Sequence, residues 1–212
     1  MNFNYYLQYL YSKNTMHFVR YCFSNVNFHN LKSGQSIEIK AVSDPKDELF
    51  LQALSEFKYP SILDYSEAEK RFEYGFYCYL GLIKGHPVSY TWIAQDSCYI
   101  PYLDGTIILK PGERYEFNAV VNPKYRGQGI YNHLRSMVFD DLKNNHSVQS
   151  VIGAHMSWNK ATQRANEKFG VEFLGSVIYG YIGTIRYFYN SVKNVEVVHH
   201  GKMLQLYTNL LK

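Results

Sequence analysis

One segment constrains the fold of this chain more than any other: YEFNAVVNPKYRGQGIY, residues 115–131. Its apolar first half predicts a strand that Asn122-Pro123 stops, and two glycines then precede a stretch whose apolar residues recur at helical spacing. That helix face consists of Ile130, Leu134, Met137, Val138 and Leu142. A tight turn between a strand and a helix leaves successive backbone N–H groups unpaired, and the helix dipole adds partial positive charge. The turn Arg126-Gly127-Gln128-Gly129 therefore suits a phosphate.

Other features of the turn bear on this interpretation. Glycine tolerates positive φ and lets the backbone approach a ligand closely, and Lys124 and Arg126 can add side-chain charge. The turn is not a Walker loop, since no G-K-[ST] follows, and it lacks the full G-x-G-x-x-G pattern. Two glycines before a helix also occur in simple turns. Taken alone, the turn leaves a phosphate site and a plain turn both open.

The rest of the chain alternates strand and helix signals. A first strand is predicted over 36–42, and residues 45–73 read as helix that Pro60 divides in two. A hairpin spans 76–83 and 88–94, and an extended segment covers 99–109. A strand over 148–156 and a helix over 159–169 follow, and two further strands lie near 171–189 and 194–208. The strand–helix–strand order predicts an α/β fold with a locally parallel pair of strands.

The first 35 residues differ from the rest because they contain no acid, three basic residues and many aromatics. Their apolar residues Phe3, Tyr6, Leu7, Leu10 and Tyr11 have helical spacing. We therefore expect an N-terminal aromatic and basic helical extension over 1–35, followed by a domain over 36–212. A membrane-surface or partner-binding arm is the alternative.

Composition excludes several classes of protein. With 46% hydrophobic residues the chain is not intrinsically disordered, and its apolar runs fall short of the ~18–20 residues that cross a bilayer. Three cysteines without C-x-x-C spacing indicate neither a disulfide framework nor a zinc site. A net charge of +4 does not indicate nucleic acid. We expect a cytoplasmic protein without a metal or a membrane partner, either monomer or homodimer.

A second segment supports a ligand role for the turn. Residues 156–171 read MSWNKATQRANEKFGV, and together with the turn they resemble the GNAT superfamily of acyl-CoA-dependent N-acyltransferases. Arg126 and Gly129 match fixed positions of that family's motif A, whereas Tyr131 stands where Gly or Ala is usual. In motif B, the matching positions are Asn159, Ala161, Lys168 and Gly170. The resemblance spans roughly residues 36–190.

The resemblance implies a fold and a coenzyme site. The fold is a mixed, largely antiparallel sheet of six or seven strands, with helices on both faces and a central parallel pair that splays apart. The pantetheine arm of an acyl-coenzyme A would lie in that splay, and its pyrophosphate would meet the amides of the turn. The implied coenzyme-binding residues are Ala119, Val120, Val121, Arg126, Gly127, Gln128, Gly129, Ile130 and Asn159.

The catalytic groups are less defined. Many members of the family place a Tyr acid seven residues after the motif B Asn, and Asn166 occupies that position here. Glu116 is a candidate base for the acceptor amine, with a solvated sheet carboxylate as the alternative. His155 has the chemistry for proton transfer near neutrality, with a packed histidine as the alternative. Tyr179 and Tyr181 are acid candidates by chemistry alone.

These observations predict an N-acyltransferase that moves an acyl group, in the simplest case acetyl, from coenzyme A to a primary amine. The amine could belong to an amino sugar, an amino acid, a small polyamine or a protein. One alternative is a catalytically silent acyl-CoA-binding or interaction module of the same fold. Another is a structural protein whose turn binds nothing.

Overall fold

The computed structural model describes residues 11–24, 36–57, 64–183, 185–200 and 204–205. Its strands are β1 (Tyr11–Cys22), β2 (Glu38–Val42), β3 (Tyr77–Ile83), β4 (His86–Ala94), β5 (Ser97–Ile100), β6 (Gly105–Ile108), β7 (Glu113–Val121), β8 (Ser150–Met156), β9 (Glu172–Ile182), β10 (Ile185–Asn190), β11 (Glu196–His199) and β12 (Leu204–Gln205). Its helices are α1 (Glu48–Glu56), α2 (Tyr65–Glu73), α3 (Ile130–His146) and α4 (Lys160–Lys168).

Within the described residues, nine strands form one mixed sheet in the order β12-β10-β9-β1-β8-β7-β4-β3-β2. The β7–β8 and β10–β12 pairs are parallel, and the other pairs are antiparallel. The remaining strands form a small sheet in the order β11-β6-β5. The α/β class and the largely antiparallel mixed sheet are confirmed, but the main sheet has more strands than the six or seven expected.

The N-terminal strand β1 is one reason for the larger sheet. The prediction of a helical extension is wrong over Tyr11–Cys22, because these residues form a strand between β8 and β9 in the middle of the sheet. Phe18 packs in the core on one face and Tyr21 in the core on the other, and both are fully buried. The helical spacing over residues 3–11 falls outside the described residues except for Tyr11.

Helices cover both faces of the main sheet. On one face, α1 and α2 pack Phe50, Ala53 and Ala68 against residues of β3 and β4. On the other face, α3 packs Leu134, Val138 and Leu142 against β1, β4 and β8, and Phe169 after α4 joins the same core. Alternate residues of the central strands pack into the cores on the two faces of the sheet, as a strand buried on both faces requires.

Several local predictions are confirmed. Two helices occupy the region that Pro60 was expected to divide, although Pro60 itself lies outside the described residues. Asp47 and Asp64 cap them by accepting from the amides of Phe50 (3.1 Å) and Glu67 (2.8 Å).

The prediction of a single extended segment over 99–109 is wrong, because the short 3-10 turn Pro101–Leu103 separates β5 from β6. No helix in the described part of the chain has the length and apolar character of a membrane span.

Candidate functional site

The site lies where the two central parallel strands separate. β7 and β8 pair from Glu113–Ser150 to Glu116–Gly153 and no further. Beyond that point β8 continues to pair with β1 as far as Met156, while β7 continues to pair with β4 as far as Val121. The two strands therefore follow different neighbours, and a gap opens between 117–121 on β7 and 154–156 on β8. We call it the central gap.

A β-bulge marks the start of the gap on β7. The register with β4 shifts between Tyr90 and Trp92, so that Asn118 and Ala119 together oppose Thr91. Asn118 has φ of 50°, and its Oδ1 accepts a hydrogen bond of 3.1 Å from Arg71 on α2. A bulge bends the strand and redirects its backbone groups. At this position it frees β7 from the regular ladder beside the gap.

The turn after β7 leads directly into a helix, as its sequence predicts. A short 3-10 turn, Pro123–Tyr125, leads into Gly127 and Gly129, both with φ of 77°. Gly129 is the N-cap residue of α3, and no described side chain caps that helix end. The first amides of a helix lack partners within the helix. An uncapped N-terminus preceded by exposed glycines has the geometry that suits an anion.

Hydrogen bonds hold the turn against the end of β7. The Asn122 amide donates to Val88 O at 2.9 Å, and its side-chain Oδ1 accepts from the Lys124 amide at 3.1 Å. Arg126 Nε donates to Val121 O at 3.2 Å. The predicted pyrophosphate site and the end of the central gap therefore meet at one place in the fold.

A buried polar network bridges the central gap on the side of α3 and α4. Arg135 of α3 is 3% exposed, and its Nε lies 2.8 Å from Glu116 Oε2 of β7. Its Nη1 donates to Asn166 Oδ1 of α4 at 2.9 Å. Asn166 Nδ2 lies 3.2 Å from His155 Nδ1 of β8. Side chains thus connect the two strands that separate. We call this network of Glu116, Arg135, Asn166 and His155 the polar bridge.

Two hydroxyl groups complete the polar bridge. Thr91 Oγ1 donates to Glu116 Oε1 at 3.2 Å, and Tyr21 OH donates to Asn166 Oδ1 at 2.5 Å. Buried polar groups of this kind are stable only when they are paired. The pairing thus explains how an arginine, a glutamate and an asparagine lie in the core.

Aromatic rings enclose the Arg135 guanidinium. Its Cζ lies 4.8 Å from the ring centroid of Tyr21, 4.3 Å from Tyr131, 5.9 Å from Phe139 and 5.5 Å from Phe169. Such cation–π contacts stabilise a desolvated cation. Tyr131, which departs from the family pattern, thus has its ring over Arg135.

Glu116 and His155, the acid and the histidine of the polar bridge, have pKa values shifted in opposite directions. Burial raises the pKa of Glu116, and Arg135 and Thr91 act in the opposite direction. Burial, with His17, Arg135 and Lys160 as further causes, lowers the pKa of His155 to about 4. His17 of β1 lies against it, with ring centroids 5.5 Å apart. His155 is therefore a neutral imidazole near pH 7.

The structure brings most of the predicted residues together. Ala119, Val120 and Val121 border the central gap, and Arg126, Gly127, Gln128, Gly129 and Ile130 follow them in the turn. Asn159 is the N-cap of α4, where its side chain accepts from the Thr162 amide at 3.1 Å. Glu116 and His155 are joined through the polar bridge. Tyr179 of β9 donates to Met156 Sδ at 3.6 Å, toward the core on the opposite face of the sheet.

Sequence reasoning missed Tyr21, Thr91 and Arg135. Arg135 carried a readable signal, since it lies three residues before Val138 and seven before Leu142, on the apolar face of α3. A charged residue at such a position needs a buried partner. Tyr21 and Thr91 carried no comparable local signal, because their roles depend on strand neighbours distant in sequence.

Several solved structures share this architecture. A tandem GNAT protein from the clavulanic acid biosynthesis pathway matches with a TM-score of 0.57 and 12% identity, over 79% of this chain and 53% of its own. A GCN5-related N-acetyltransferase from Kribbella flavida gives 0.54 and 10%, over 85% and 64%. A GNAT-family acetyltransferase from Colwellia psychrerythraea gives 0.50 and 15%, over 79% and 55%. No protein-family model and no curated protein matches the sequence.

These matches establish the fold. The chain has the fold of the GNAT acetyltransferases, as the turn and the segment 156–171 led us to expect. It spans between 53% and 64% of the length of the first two of these structures. At identities of 10% to 15%, the likeness concerns the path of the backbone and not the identity of a substrate.

Proposed function

We propose that this protein is an acyl-coenzyme A-dependent N-acyltransferase that transfers an acyl group, most simply acetyl, to a primary amine. One observation carries the proposal: the gap between two parallel strands ends at an uncapped helix N-terminus that follows a two-glycine turn. An extended arm fits a gap bordered by strand backbone, and a pyrophosphate fits the amides of the turn. Acyl-coenzyme A has both parts in this order.

In this proposal, each part of the coenzyme meets a different feature. Backbone groups of Ala119–Val121 pair with the pantetheine arm, because β8 has left that edge of β7. The amides of Gln128–Ile130 and the Arg126 side chain bind the pyrophosphate. Asn159 contacts the pantetheine from the start of α4. Hydrogen bonds of Asn122 and Arg126 hold the end of β7 against the turn, and the Thr162 amide holds the Asn159 side chain at the start of α4.

The proposed reaction is direct transfer. The neutral amine attacks the thioester carbonyl carbon, a C–N bond forms, the C–S bond breaks, and coenzyme A leaves as thiolate. The proton of the amine passes to water. A backbone amide at the Asn118–Ala119 bulge stabilises the carbonyl oxygen as charge develops on it. Positioning of the two reactants supplies most of the acceleration.

The geometry favours a structural role for Glu116 over the role of base. Its side chain is 2% exposed, and its two oxygens lie against Arg135 and Thr91. A base must lie within hydrogen-bond reach of the proton that it removes. We propose that Glu116 holds Arg135 in the polar bridge and leaves the proton of the amine to solvent.

Coenzyme binding can be tested with two glycine variants that carry the same backbone strain. Gly129 lies in the turn and Gly85 in the exposed β3–β4 turn, and both have φ of 77°. A β-branched residue at either position costs about 1–2 kcal/mol of stability. We expect Gly129→Val to weaken acetyl-CoA binding about 100-fold by calorimetry, through lost charge-assisted hydrogen bonds, while Gly85→Val binds normally. Equal affinities in the two variants would exclude the turn as the pyrophosphate site.

A second candidate function is a catalytically silent acyl-CoA-binding module. It is favoured by Asn166, an amide at the position where the family resemblance places a tyrosine acid, and by its burial at 3% exposure. The discriminating assay measures release of free coenzyme A thiol from acetyl-CoA across a panel of amino sugars, amino acids, polyamines and lysine peptides. Tight binding with no acceleration by any amine would favour the silent module.

A further inference from the structure

The amide of Asn166 can have only one orientation. Its Oδ1 accepts from Tyr21 OH at 2.5 Å and from Arg135 Nη1 at 2.9 Å. A flipped amide would direct its NH2 group at the guanidinium, which only donates. Nδ2 therefore faces His155 Nδ1, at 3.2 Å, as a donor.

This orientation fixes the tautomer of His155. Because Asn166 donates, Nδ1 must accept, and the single proton of the neutral imidazole lies on Nε2. The surroundings keep the ring neutral. The charged and titratable groups acting on it are His17 from β1, Arg135 from α3 and Lys160 from α4, and none of them is an acid. Glu116, the nearest acid in the polar bridge, is bound to Arg135.

The Nε2–H group is left for a ligand. His155 is 8% exposed and lies two residues beyond Gly153, the last residue of β8 that pairs with β7. Its Nε2 has no hydrogen-bond partner among the described residues. Nε2 is not among the fully buried atoms of the described residues that lack a partner, so solvent reaches it and a ligand can reach it too. Nε2 belongs to the strand that borders the central gap, where the reactive end of an extended coenzyme would come to rest.

Resting on the function proposed above, we propose that His155 donates a hydrogen bond from Nε2 to the sulfur of coenzyme A. Asn166, held by Tyr21 and Arg135, is the positioning residue that keeps the proton on that nitrogen. As the C–S bond breaks, the hydrogen bond strengthens because the sulfur becomes a thiolate. His155 keeps its proton throughout, and water protonates the released thiolate. His155 thus stabilises the leaving thiolate as a hydrogen-bond donor, without transferring a proton to it as an acid would.

The first test does not depend on turnover. Two-bond 1H–15N correlation spectra of the intact protein identify the protonated nitrogen of His155, which we expect to be Nε2. Addition of coenzyme A should shift the Nε2 resonance, and desulfo-coenzyme A, which lacks only the sulfur, should not shift it. Protonation on Nδ1, or the same response to both ligands, would overturn the inference.

The second test uses two substitutions that differ in the position of the donor. In His155→Gln the side-chain NH2 can reach the place of Nε2, whereas in His155→Asn it reaches only the place of Nδ1. We expect kcat for acetyl transfer to fall about 10- to 100-fold in His155→Asn, with rescue to within about 5-fold of native in His155→Gln. The Kd for acetyl-CoA should change less than about 3-fold in both. Equal kcat in the two variants would overturn the inference while leaving acyl transfer intact.

A third variant changes the tautomer without altering His155. Asn166→Asp places an acceptor oxygen opposite Nδ1, so we expect the proton to move to Nδ1 in the spectra and kcat to fall about 10-fold. A proton that stays on Nε2 would remove Asn166 as the positioning residue. If the native protein neither binds acetyl-CoA nor turns over any amine, the proposed function fails, and this inference fails with it.

Discussion

The turn Arg126–Gly129 and the polar bridge both involve β7 and α3, but they are built in different ways. The turn is local: its geometry depends on two glycines with φ of 77° and on an uncapped helix that begins at the next residue. The polar bridge is distributed, because Glu116, Arg135, Asn166 and His155 come from β7, α3, α4 and β8. The turn is exposed, and the polar bridge is buried.

The difference teaches how the two tasks are divided. Backbone amides bind a group that is common to every acyl-coenzyme A, so the turn needs little beyond glycine. The polar bridge spans the point where β7 and β8 separate, and it places charged groups where the sheet has lost a ladder of hydrogen bonds. The turn should therefore govern affinity for the coenzyme, and the polar bridge should govern stability and the chemistry in the gap.

The largest expected effect follows from breaking the polar bridge at its centre. Arg135→Met leaves Glu116 buried without its ion-pair partner, so we expect the free energy of unfolding to fall by about 3–5 kcal/mol in urea titrations. Lys40→Met is the matched control. Lys40 pairs with Asp47 at 2.7 Å, but 41% of its side chain is exposed, and the loss there should be below about 1 kcal/mol.

A double variant sharpens this test. Adding Glu116→Gln to Arg135→Met removes the unpaired buried charge, and it should restore about 1–3 kcal/mol of the lost stability. In conditions where Arg135→Met stays folded, its acetyl-CoA affinity should lie within about 3-fold of native. A loss of stability no larger than in Lys40→Met would contradict the view that the polar bridge holds the gap.

The same contrast explains what the sequence could predict. The turn, the helix that follows it and the two helices around Pro60 were predictable because their signals lie within a few residues of each other. β1 was not, because a central strand buried on both faces lacks the polar–apolar alternation of a half-exposed strand. Its pairing with β8 and β9 links residues more than 100 positions apart, such as His17 with His155 and Ser176.

The candidate site divides along the same line. Motif positions placed the coenzyme residues on neighbouring elements, and Glu116 and His155 were picked out by residue type and by their positions on the two strands expected to separate. Their environments could not be inferred, since Arg135 and Tyr21 reach them only through the packing of α3 and β1. The chemical role of a titratable side chain depends on those neighbours more than on its own identity.

The next effect concerns the pH dependence of stability. The pKa of His155 is about 4 in the folded protein and near 6.5 in an unfolded chain. As the pH falls from about 6.5 to 4, the unfolded chain binds this proton first, so folded stability decreases across that window. We expect His155 to account for about 2 kcal/mol of the decrease.

Urea titrations of native protein and His155→Gln at pH 7 and pH 4.5 measure that contribution. The native protein should lose more stability than the variant over this interval. Equal losses would mean that burial and the neighbouring His17, Arg135 and Lys160 do not hold the imidazole in its neutral form. His17→Gln provides a comparison, because burial and Lys160 also lower the pKa of His17.

The smallest expected effect tests whether the turn and the polar bridge act independently. Tyr131 lies two residues after the turn, and the Arg135 guanidinium lies 4.3 Å from its ring. Tyr131→Ala should cost less than about 1 kcal/mol, since the lost cation–π contact is partly offset by the higher helix propensity of alanine. Tyr131→Phe, which keeps the ring, should be close to native in stability.

If calorimetry shows acetyl-CoA affinity within about 3-fold of native in Tyr131→Ala, the turn and the polar bridge are independent. A 10-fold loss there, with normal binding in Tyr131→Phe, would mean that the ring transmits the position of Arg135 to the turn.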